Sequence, residues 1–225
     1  MNGKTDRGEL ALAAFSLCYP MEKRDLGEYG LLRKNGMEFK TEAWRVGGVG
    51  SLCVMRMKAF FGLMRMETAI FSPSGVDAPL FNVDWVKAFG TETQIAELYD
   101  VQVQPWPDAC RSQLQGICDS AVDLPDMERK ANWYDEILYD CSCAKKERGI
   151  AQRLYDLAEG YVTCYVAQLS QLASCDPVEK SALVKGFAER LYSEGGVAVQ
   201  QITKLFGEET ARHLVVNCMY GVDGM

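Results

Sequence analysis

The chain has 225 residues, and its 24 Lys and Arg against 31 Asp and Glu give a formal net charge of -7. An acidic chain argues against nucleic acids and anionic membrane surfaces as partners, because both attract cationic proteins. No run of about 20 apolar residues is present to span a membrane, and residues 1–20 lack the pattern of a signal peptide. We therefore expect a cytoplasmic protein that folds as one domain.

The nine cysteines are odd in number and irregularly spaced, which favours free thiols over a disulfide framework. Cys141-Ser142-Cys143 has no second cysteine pair at zinc-ligand spacing. His213, the one histidine, lies in a predicted helix beside Arg212, with no signal for a nucleophile or an orienting group. The sequence thus predicts neither a metal site nor a histidine-dependent catalytic pair.

The first half of the chain begins with a helix and continues as strands. Residues 6–18 place apolar side chains at helical spacing, and Pro20 ends that segment. Residues 21–36 are charged and contain the turn signal Asn35-Gly36, so we predict an exposed connection there. Glycines then separate short runs of β-forming residues, and the Gly47-Gly48 pair predicts a hairpin. The predicted strands are 38–46, 49–58, 63–71, 81–89 and 94–103.

The connections between these strands are too short for a helical crossover, so we expect an antiparallel meander. After Pro107 the apolar spacing becomes helical, except in an irregular segment, 124–145, that holds the aromatic cluster Trp133, Tyr134 and Tyr139. The predicted helices are 108–121, 147–173, 177–192, 197–206 and 208–219. The sequence therefore predicts an α+β fold with an N-terminal helix and connection (1–36), a meander (37–105) and a mainly helical half (106–225).

Acidic residues inside apolar strands are the strongest candidates for chemistry. Burial raises the pKa of a carboxyl group and can keep it protonated near neutral pH, ready to donate a proton. Asp84 is the sharpest case, because large apolar residues surround it in Phe81-Asn82-Val83-Asp84-Trp85-Val86. A hydrogen bond to a turn, or a place on a solvent-facing sheet face, explains Asp84 equally well. For the other acids in predicted strands we favour that structural interpretation; they are Glu67, Glu97 and Asp100.

Basic residues on two neighbouring predicted strands form a second candidate group. Arg56, Lys58 and Arg65 are placed to clamp a ligand carboxylate through charge-assisted hydrogen bonds. The alternative, which the sequence favours, is a solvated strand face on which these cations pair with Glu67.

The stretch from Phe71 to Val103 resembles the central hairpin of the ferredoxin-dependent bilin reductases and their red chlorophyll catabolite reductase relatives. The end of the chain is similar to that family's closing helix pair, at Phe206-Gly207. The order of elements, strands first and helices after, also agrees. The features of the hairpin that resemble the family are, in chain order, the Pro73 turn, Asp77-Ala78-Pro79-Leu80-Phe81, Asp84 and Asp100.

The resemblance implies an α/β/α sandwich in which a linear tetrapyrrole lies between the sheet and the C-terminal helices. It also implies an enzyme with no bound metal or flavin, which takes single electrons from ferredoxin while acidic side chains supply protons. Asp84 matches the family's proton-donating aspartate on the central strand. The family's catalytic histidine has no counterpart, since the matching strand carries Glu67 and Thr68, and Met55 or Met57 falls near its upstream catalytic glutamate.

These observations support one leading hypothesis and two alternatives. The leading one is a divergent oxidoreductase acting on a linear tetrapyrrole or a similar conjugated ligand, with Asp84 as proton donor and Glu67 as helper. Its candidate substrate contacts are Arg56, Lys58, Arg65 and Asn82. A non-catalytic tetrapyrrole carrier on the same fold is the first alternative, and a protein-interaction module using the aromatic cluster is the second.

Overall fold

The computed structural model describes residues 6–128 and 130–221, and for Val197 it describes the backbone alone. The predicted N-terminal region (1–36) and helical half (106–225) also contain residues 1–5, 129 and 222–225, which lie outside the described residues. The described strands are β1 (Met21–Lys23), β2 (Leu31–Lys34), β3 (Met37–Val46), β4 (Gly50–Ala59), β5 (Met64–Pro73), β6 (Leu80–Ala88), β7 (Thr91–Tyr99) and β8 (Cys143–Glu147). The helices are α1 (Arg7–Cys18), α2 (Asp108–Asp119), α3 (Ala151–Leu169), α4 (Pro177–Glu194), α5 (Val197–Phe206) and α6 (Glu208–Arg212), which continues as a π-helix at His213–Met219. Short 3-10 turns lie at Gly27–Gly30, Phe60–Gly62 and Trp133–Ile137.

The described strands form one antiparallel sheet in the order β1-β3-β4-β5-β6-β7-β8, and β2 pairs with β3 beside β1. Strands β3 to β7 are neighbours in chain order, so the predicted meander is confirmed. Gly48 and Gly90 have φ of 77° and 84° in two of the hairpin turns. Glycine adopts this left-handed backbone readily because it has no Cβ atom.

Helices cover both faces of the sheet, because alternate side chains of each strand point to opposite sides. Helices α1, α2 and α3 pack against one face around a core that includes Phe15, Phe71, Phe81, Tyr161 and Tyr165. Helices α4 and α5 and the π-helix pack against the other face, around Met55, Ile70, Tyr99, Phe187 and Val215. The predicted α+β fold, with helices on the sheet faces and a helical C-terminal half, is confirmed.

Helix boundaries follow local capping chemistry. The Asp6 carboxylate accepts a hydrogen bond of 3.0 Å from the Glu9 N–H at the start of α1, and Asp176 accepts one of 2.9 Å from Val178 at the start of α4. Both caps satisfy N–H groups that have no partner inside the helix. Helix α4 ends at Gly195, whose φ of 75° cannot continue a right-handed helix. The cap predicted at Asp176 and the break predicted at Gly195 are therefore confirmed.

Two segments that the sequence left without regular structure contain short strands. The predicted connection 21–36 holds β1 and β2, whose side chains are largely exposed and show no apolar alternation. The irregular segment 124–145 leads into β8, which has no β-branched residue. The Lys145 ammonium of β8 is buried and donates hydrogen bonds to the carbonyl oxygen of Leu124 and to Asp126. Pairing with β7, rather than strand propensity, orders this segment.

Two predicted elements have different limits in the structure. The helix predicted over 147–173 begins at Ala151, because the preceding residues complete β8 and its turn. The strand predicted over 94–103 leaves the sheet after Tyr99, so Asp100 lies beyond the strand and is exposed. After Tyr99 the chain is held outside the sheet by the Asp77 carboxylate, which accepts hydrogen bonds from the N–H groups of Val103 and Gln104.

No helix in the described part of the chain combines the length and the apolar character needed to cross a bilayer. Within the same residues, no group of three or more His, Cys, Asp or Glu side chains is placed to hold a metal ion. The nine cysteines are free thiols.

Candidate functional site

A cleft with a volume of about 640 Å³ lies between the sheet and the C-terminal helices. Strands β4 to β7 form its floor, and the end of α4, helix α5 and the π-helix form its roof. One side is closed by Met127, Lys130, Ala131, Asn132 and Tyr134. This volume is typical of sites for small organic ligands. The polar side chains that line the cleft are Thr68, Asn82, Asp84, Glu97, Tyr99, Lys130, Asn132, Tyr134, Gln200 and Tyr220.

Asp84 lies in the middle of the cleft floor. The sheet register places Met55, Thr68, Asp84 and Ile95 directly opposite one another on four neighbouring strands. All four line the cleft. Of the residues that the bilin reductase resemblance singled out, Met55 and Thr68 therefore share a row with Asp84. Asn82 lies two residues from Asp84 on β6, so it points to the same face.

Asp84 is half-buried in the cleft floor, and one oxygen of its carboxyl group is fully enclosed. Its Oδ2 accepts a hydrogen bond of 2.9 Å from the Asn82 side-chain amide. Its Oδ1 is buried and has no hydrogen-bond partner among the described residues. Burial raises the pKa of Asp84, and the Thr68 hydroxyl and the Asn82 amide only partly oppose that rise. Asp84 therefore holds its proton to a higher pH than an exposed aspartate, and its side chain lines the cleft.

Glu97 and Tyr99 of β7 form a second polar pair on the same floor. Glu97 is directly opposite Asn82 in the register, is buried, and accepts a hydrogen bond from the Tyr99 hydroxyl. Burial, reinforced by the Glu97 carboxylate, raises the pKa of Tyr99 well above its ordinary value. The Tyr99 phenol thus stays neutral, so it can donate a hydrogen bond but carries no charge.

Two further tyrosines reach the cleft from outside the sheet. Tyr220 follows the π-helix, and burial, together with the charge of Asp84, raises the pKa of its phenol well above the ordinary value. Tyr134 packs edge-on against Tyr99, with ring centroids 5.5 Å apart. The sequence offered no periodic signal for either residue, because both lie next to irregular segments. Glu97 and Tyr99 are two residues apart on β7, so they point to the same face of the sheet. The sequence does not show that this is the face of Asp84, because that depends on the register between β6 and β7.

The structure does not bring the predicted helper Glu67 to this site. Glu67 is directly opposite Arg56 and next to Thr68 in β5, so it points to the opposite sheet face from Asp84. There its carboxylate accepts the Arg7 N–H at 2.7 Å, at the first residue of α1. Burial raises the pKa of Glu67, and the Arg7 N–H opposes that rise. Of the predicted residues, Asp84 and Asn82 come together in the cleft.

The predicted cationic contacts also lie away from the cleft. Arg56 forms ion pairs with Asp6, Glu9 and Glu42 on the face that α1 covers. Lys58 and Arg65 point to this same face, and both are exposed near the end of the sheet. Lys130, exposed at the rim, is the basic side chain among the described residues that line the cleft.

The aromatic cluster of the third hypothesis is packed into the molecule. Trp133 contacts Phe187 of α4, with ring centroids 5.5 Å apart, and the Arg190 guanidinium lies 4.3 Å from its ring centroid. The Tyr139 hydroxyl donates to the Gln102 side chain at 2.6 Å. With Tyr134 in the cleft wall, the cluster contributes to the site and to the core.

Comparison with known proteins places this site in a known architecture. No protein-family model matches the sequence, and no curated protein matches it. A crystal structure of phytochromobilin synthase from tomato in complex with biliverdin matches with a TM-score of 0.76. The match covers 96% of this chain and 82% of that chain at 12% sequence identity. The chain has the bilin reductase fold. At 12% identity this similarity shows the fold alone. Within that fold, the cleft of this chain lies between the sheet and the C-terminal helices.

Proposed function

We propose that the protein is a divergent bilin-reductase-like oxidoreductase that reduces a linear tetrapyrrole, or a similarly conjugated ligand, bound in the cleft. The observation that carries this proposal is the position of Asp84, whose half-buried side chain lines a ligand-sized cavity and has a pKa that burial raises. The shared fold with a protein crystallised in complex with biliverdin supports the ligand class.

The proposed reaction adds two electrons and two protons to one double bond of the ligand. Reduced ferredoxin, an iron–sulfur electron carrier, would deliver the electrons singly and be oxidised. The Asp84 O–H would transfer one proton to the ligand, and solvent at the cleft rim near Lys130 would supply the second and reprotonate the carboxylate. Because burial raises the pKa of Asp84, its carboxyl group keeps its proton to a higher pH than an exposed aspartate does, which suits a proton donor.

The enclosing residues give the ligand its place. Apolar side chains on both walls, Met55, Met66 and Ile95 below and Val199, Ile202 and Val215 above, suit a flat conjugated ring system. Asn82 is held by its hydrogen bond to Asp84, which orients both groups. Lys130 at the rim offers a charge to a ligand carboxylate.

An absorbance assay with biliverdin and reduced ferredoxin tests this function. We expect the protein to shift the biliverdin spectrum on binding and to bleach or shift it further on reduction. Asp84→Asn should keep the binding shift and lower the reduction rate by about 10²–10⁴-fold, the usual contribution of a positioned proton donor. Asp100→Asn is the matched control, because Asp100 is exposed beyond β7 and outside the cleft lining. Reduction at an equal rate by Asp84→Asn, or no spectral shift at all, would contradict the proposal.

A non-catalytic tetrapyrrole carrier is the second candidate, and one observation favours it. By the resemblance, Met55 or Met57 falls near the catalytic glutamate of bilin reductases, and Glu67 and Thr68 stand where many of them carry a catalytic histidine. Of these residues, Met55 and Thr68 are the two in the row with Asp84. Neither a methionine nor a threonine supplies a proton at neutral pH. Tight biliverdin binding with an unchanged spectrum after ferredoxin reduction would select this function over the enzyme.

A further inference from the structure

Four large apolar side chains are exposed together at one end of the sheet. Phe60, Phe61 and Leu63 lie in the β4–β5 turn, and Phe89 lies in the β6–β7 turn. Phe61 is fully exposed, with a relative accessibility of 109%. The two turns touch, since the Phe89 N–H donates to the Leu63 carbonyl oxygen at 3.4 Å and the Phe60 and Phe89 ring centroids are 6.2 Å apart. We call these four residues the apolar tip.

The backbone at the apolar tip is unfavourable for the residues it carries. Phe60, Phe61 and Phe89 have φ of 50°, 55° and 50°, in the left-handed region that favours glycine and asparagine. A polar turn residue or a glycine would fit these positions better and would avoid an exposed apolar surface. An exposed aromatic cluster held in a disfavoured backbone marks a contact surface rather than a feature of the fold.

A row of cations crosses the sheet behind the apolar tip. Lys58, Arg65 and Lys87 are directly opposite one another on β4, β5 and β6. Like charges in such a row repel one another. Lys87 is paired with Glu92 at 2.9 Å, but Lys58 and Arg65 are exposed and form no ion pair with any residue that the structure describes. We call these three residues the cationic row.

The acidic residues near the cationic row are already engaged. Glu38, opposite Lys58 on β3, pairs with Arg33 at 2.7 Å. Glu92 is buried and also accepts the Trp85 indole N–H. Glu147, opposite Glu92 on β8, accepts the N–H of Arg148. The positive charge of Lys58 and Arg65 therefore remains available at this end of an otherwise acidic chain.

We propose that the apolar tip and the cationic row bind the surface of an anionic lipid bilayer, with the tip among the acyl chains and the row at the headgroups. Lys58 precedes Phe60 by two residues, Arg65 follows Leu63 by two, and Lys87 precedes Phe89 by two. At about 3.3 Å per residue the cations lie roughly 7 Å behind the apolar side chains. That offset matches the depth of about 5–10 Å to which interfacial protein segments bury their apolar side chains.

The shape of the apolar tip favours a bilayer over a protein partner. The four side chains project from two turns, so a protein partner would need a matching concave pocket with acidic side chains around it. A bilayer, in contrast, deforms around any convex apolar group. The net charge of -7 does not prevent this contact, because salt screens charges that lie more than about 8 Å away. The contact would turn this end of the molecule, which carries the exposed Lys58 and Arg65, toward the anionic surface.

Vesicle sedimentation with the full chain tests the proposal. We expect binding to phosphatidylcholine vesicles that contain about 30% phosphatidylglycerol, at least about tenfold weaker binding to phosphatidylcholine alone, and weaker binding at high salt. Phe61→Ser with Leu63→Ser should weaken binding by about tenfold or more. Lys58→Gln with Arg65→Gln should weaken it by a similar factor. The changed side chains are exposed, so the far-ultraviolet circular dichroism and the melting temperature should stay unchanged.

Matched control variants distinguish insertion of the apolar tip into the bilayer from non-specific adsorption of exposed apolar side chains. Leu17→Ser and Val178→Ser remove apolar side chains of similar exposure far along the chain from the apolar tip and should leave binding within about twofold. Phe61→Trp should show a blue-shifted emission on anionic vesicles, and Leu17→Trp should not. No binding to anionic vesicles, or binding that Phe61→Ser with Leu63→Ser leaves unchanged, would overturn the proposal. Both readouts need neither biliverdin nor ferredoxin, so their result is independent of the proposed enzymatic function.

Discussion

Lys180 and Asp77 form a buried ion pair, with 2.9 Å between the lysine Nζ and the aspartate Oδ1. Lys180 also donates hydrogen bonds of 2.7 Å to the carbonyl oxygens of Ala78 and Val101, so all three of its protons have acceptors. The pair joins α4, which roofs the cleft, to the connection between β5 and β6. Asp77 opens the run that resembles the bilin reductases, and its role here is to hold the cleft together.

Replacing Lys180 by methionine should destabilise the fold strongly. The change leaves the buried Asp77 carboxylate without its cation and two carbonyl oxygens without a donor. Breaking a buried pair in this way typically costs about 3–5 kcal/mol. Urea unfolding measures the loss, and Lys185→Met, which changes an exposed lysine of the same helix, should stay within about 0.5 kcal/mol of the wild type. A small effect of Lys180→Met would show that α4 is anchored by its apolar contacts instead.

Asp84 should make the stability of the protein fall as the pH rises. Its pKa is raised by burial, so between the ordinary value of about 3.9 and the raised value the folded state binds more protons than the unfolded state. The free energy of unfolding decreases with pH wherever that holds. Asp84→Asn removes the titration, so the variant should gain stability relative to the wild type across this window and stay constant relative to it above.

Urea unfolding of the two proteins over a series of pH values measures this difference. Asp100→Asn, which changes an exposed carboxyl group outside the cleft lining, is the comparison variant. A constant difference between wild type and Asp84→Asn at every pH would contradict the raised pKa and weaken the case for Asp84 as a proton donor.

Glu67 should matter for stability and not for the reaction. It accepts the Arg7 N–H, and the buried Arg7 guanidinium lies over the Trp85 and Tyr155 rings, 4.9 and 5.2 Å from their centroids. Glu67→Gln removes a charge that offsets the burial of Arg7 and should cost about 1–3 kcal/mol. Glu28→Gln, at an exposed glutamate, should cost less than about 0.5 kcal/mol. A reduction rate that falls by the factor expected for Asp84→Asn would instead restore Glu67 as a helper.

Local sequence patterns predicted most of the fold because its signals are local. Alternation in β3 to β7, glycine at the hairpin turns and the cap at Asp176 each depend on a few neighbouring residues. Strand β8 was not predicted, because its own residues do not favour a strand. It is ordered by pairing with β7, which lies far earlier in the chain.

The composition of the site was harder to predict, because it depends on register between strands. Alternation alone shows that Met55 and Arg56 point to opposite faces, but it does not relate either of them to Asp84. The link from β5 to β6 runs through the Ser74–Pro79 connection, whose length does not set the register. Thr68 therefore joins Asp84 in the cleft while its neighbour Glu67 faces α1. Tyr220 reaches the cleft only through the packing of the π-helix.

Placing a histidine at position 68 should lower the pKa of Asp84. Thr68 is directly opposite Asp84 across the β5–β6 ladder, so a protonated imidazole there would stabilise the carboxylate. The pH window in which Asp84→Asn gains stability over its parent should then shrink when the parent is Thr68→His. Comparing Thr68→His with the double variant Thr68→His and Asp84→Asn over the same pH series measures this change. Thr68→Asn, which adds a neutral polar group of similar size, is the control and should leave the window unchanged.

If the bilin-reducing function is present, the imidazole also adds a second group able to donate a proton beside the ligand, and the reduction rate should rise by about tenfold. An unchanged window would mean that the two side chains do not interact across the ladder, and the proton-donor geometry proposed for the cleft would then fail.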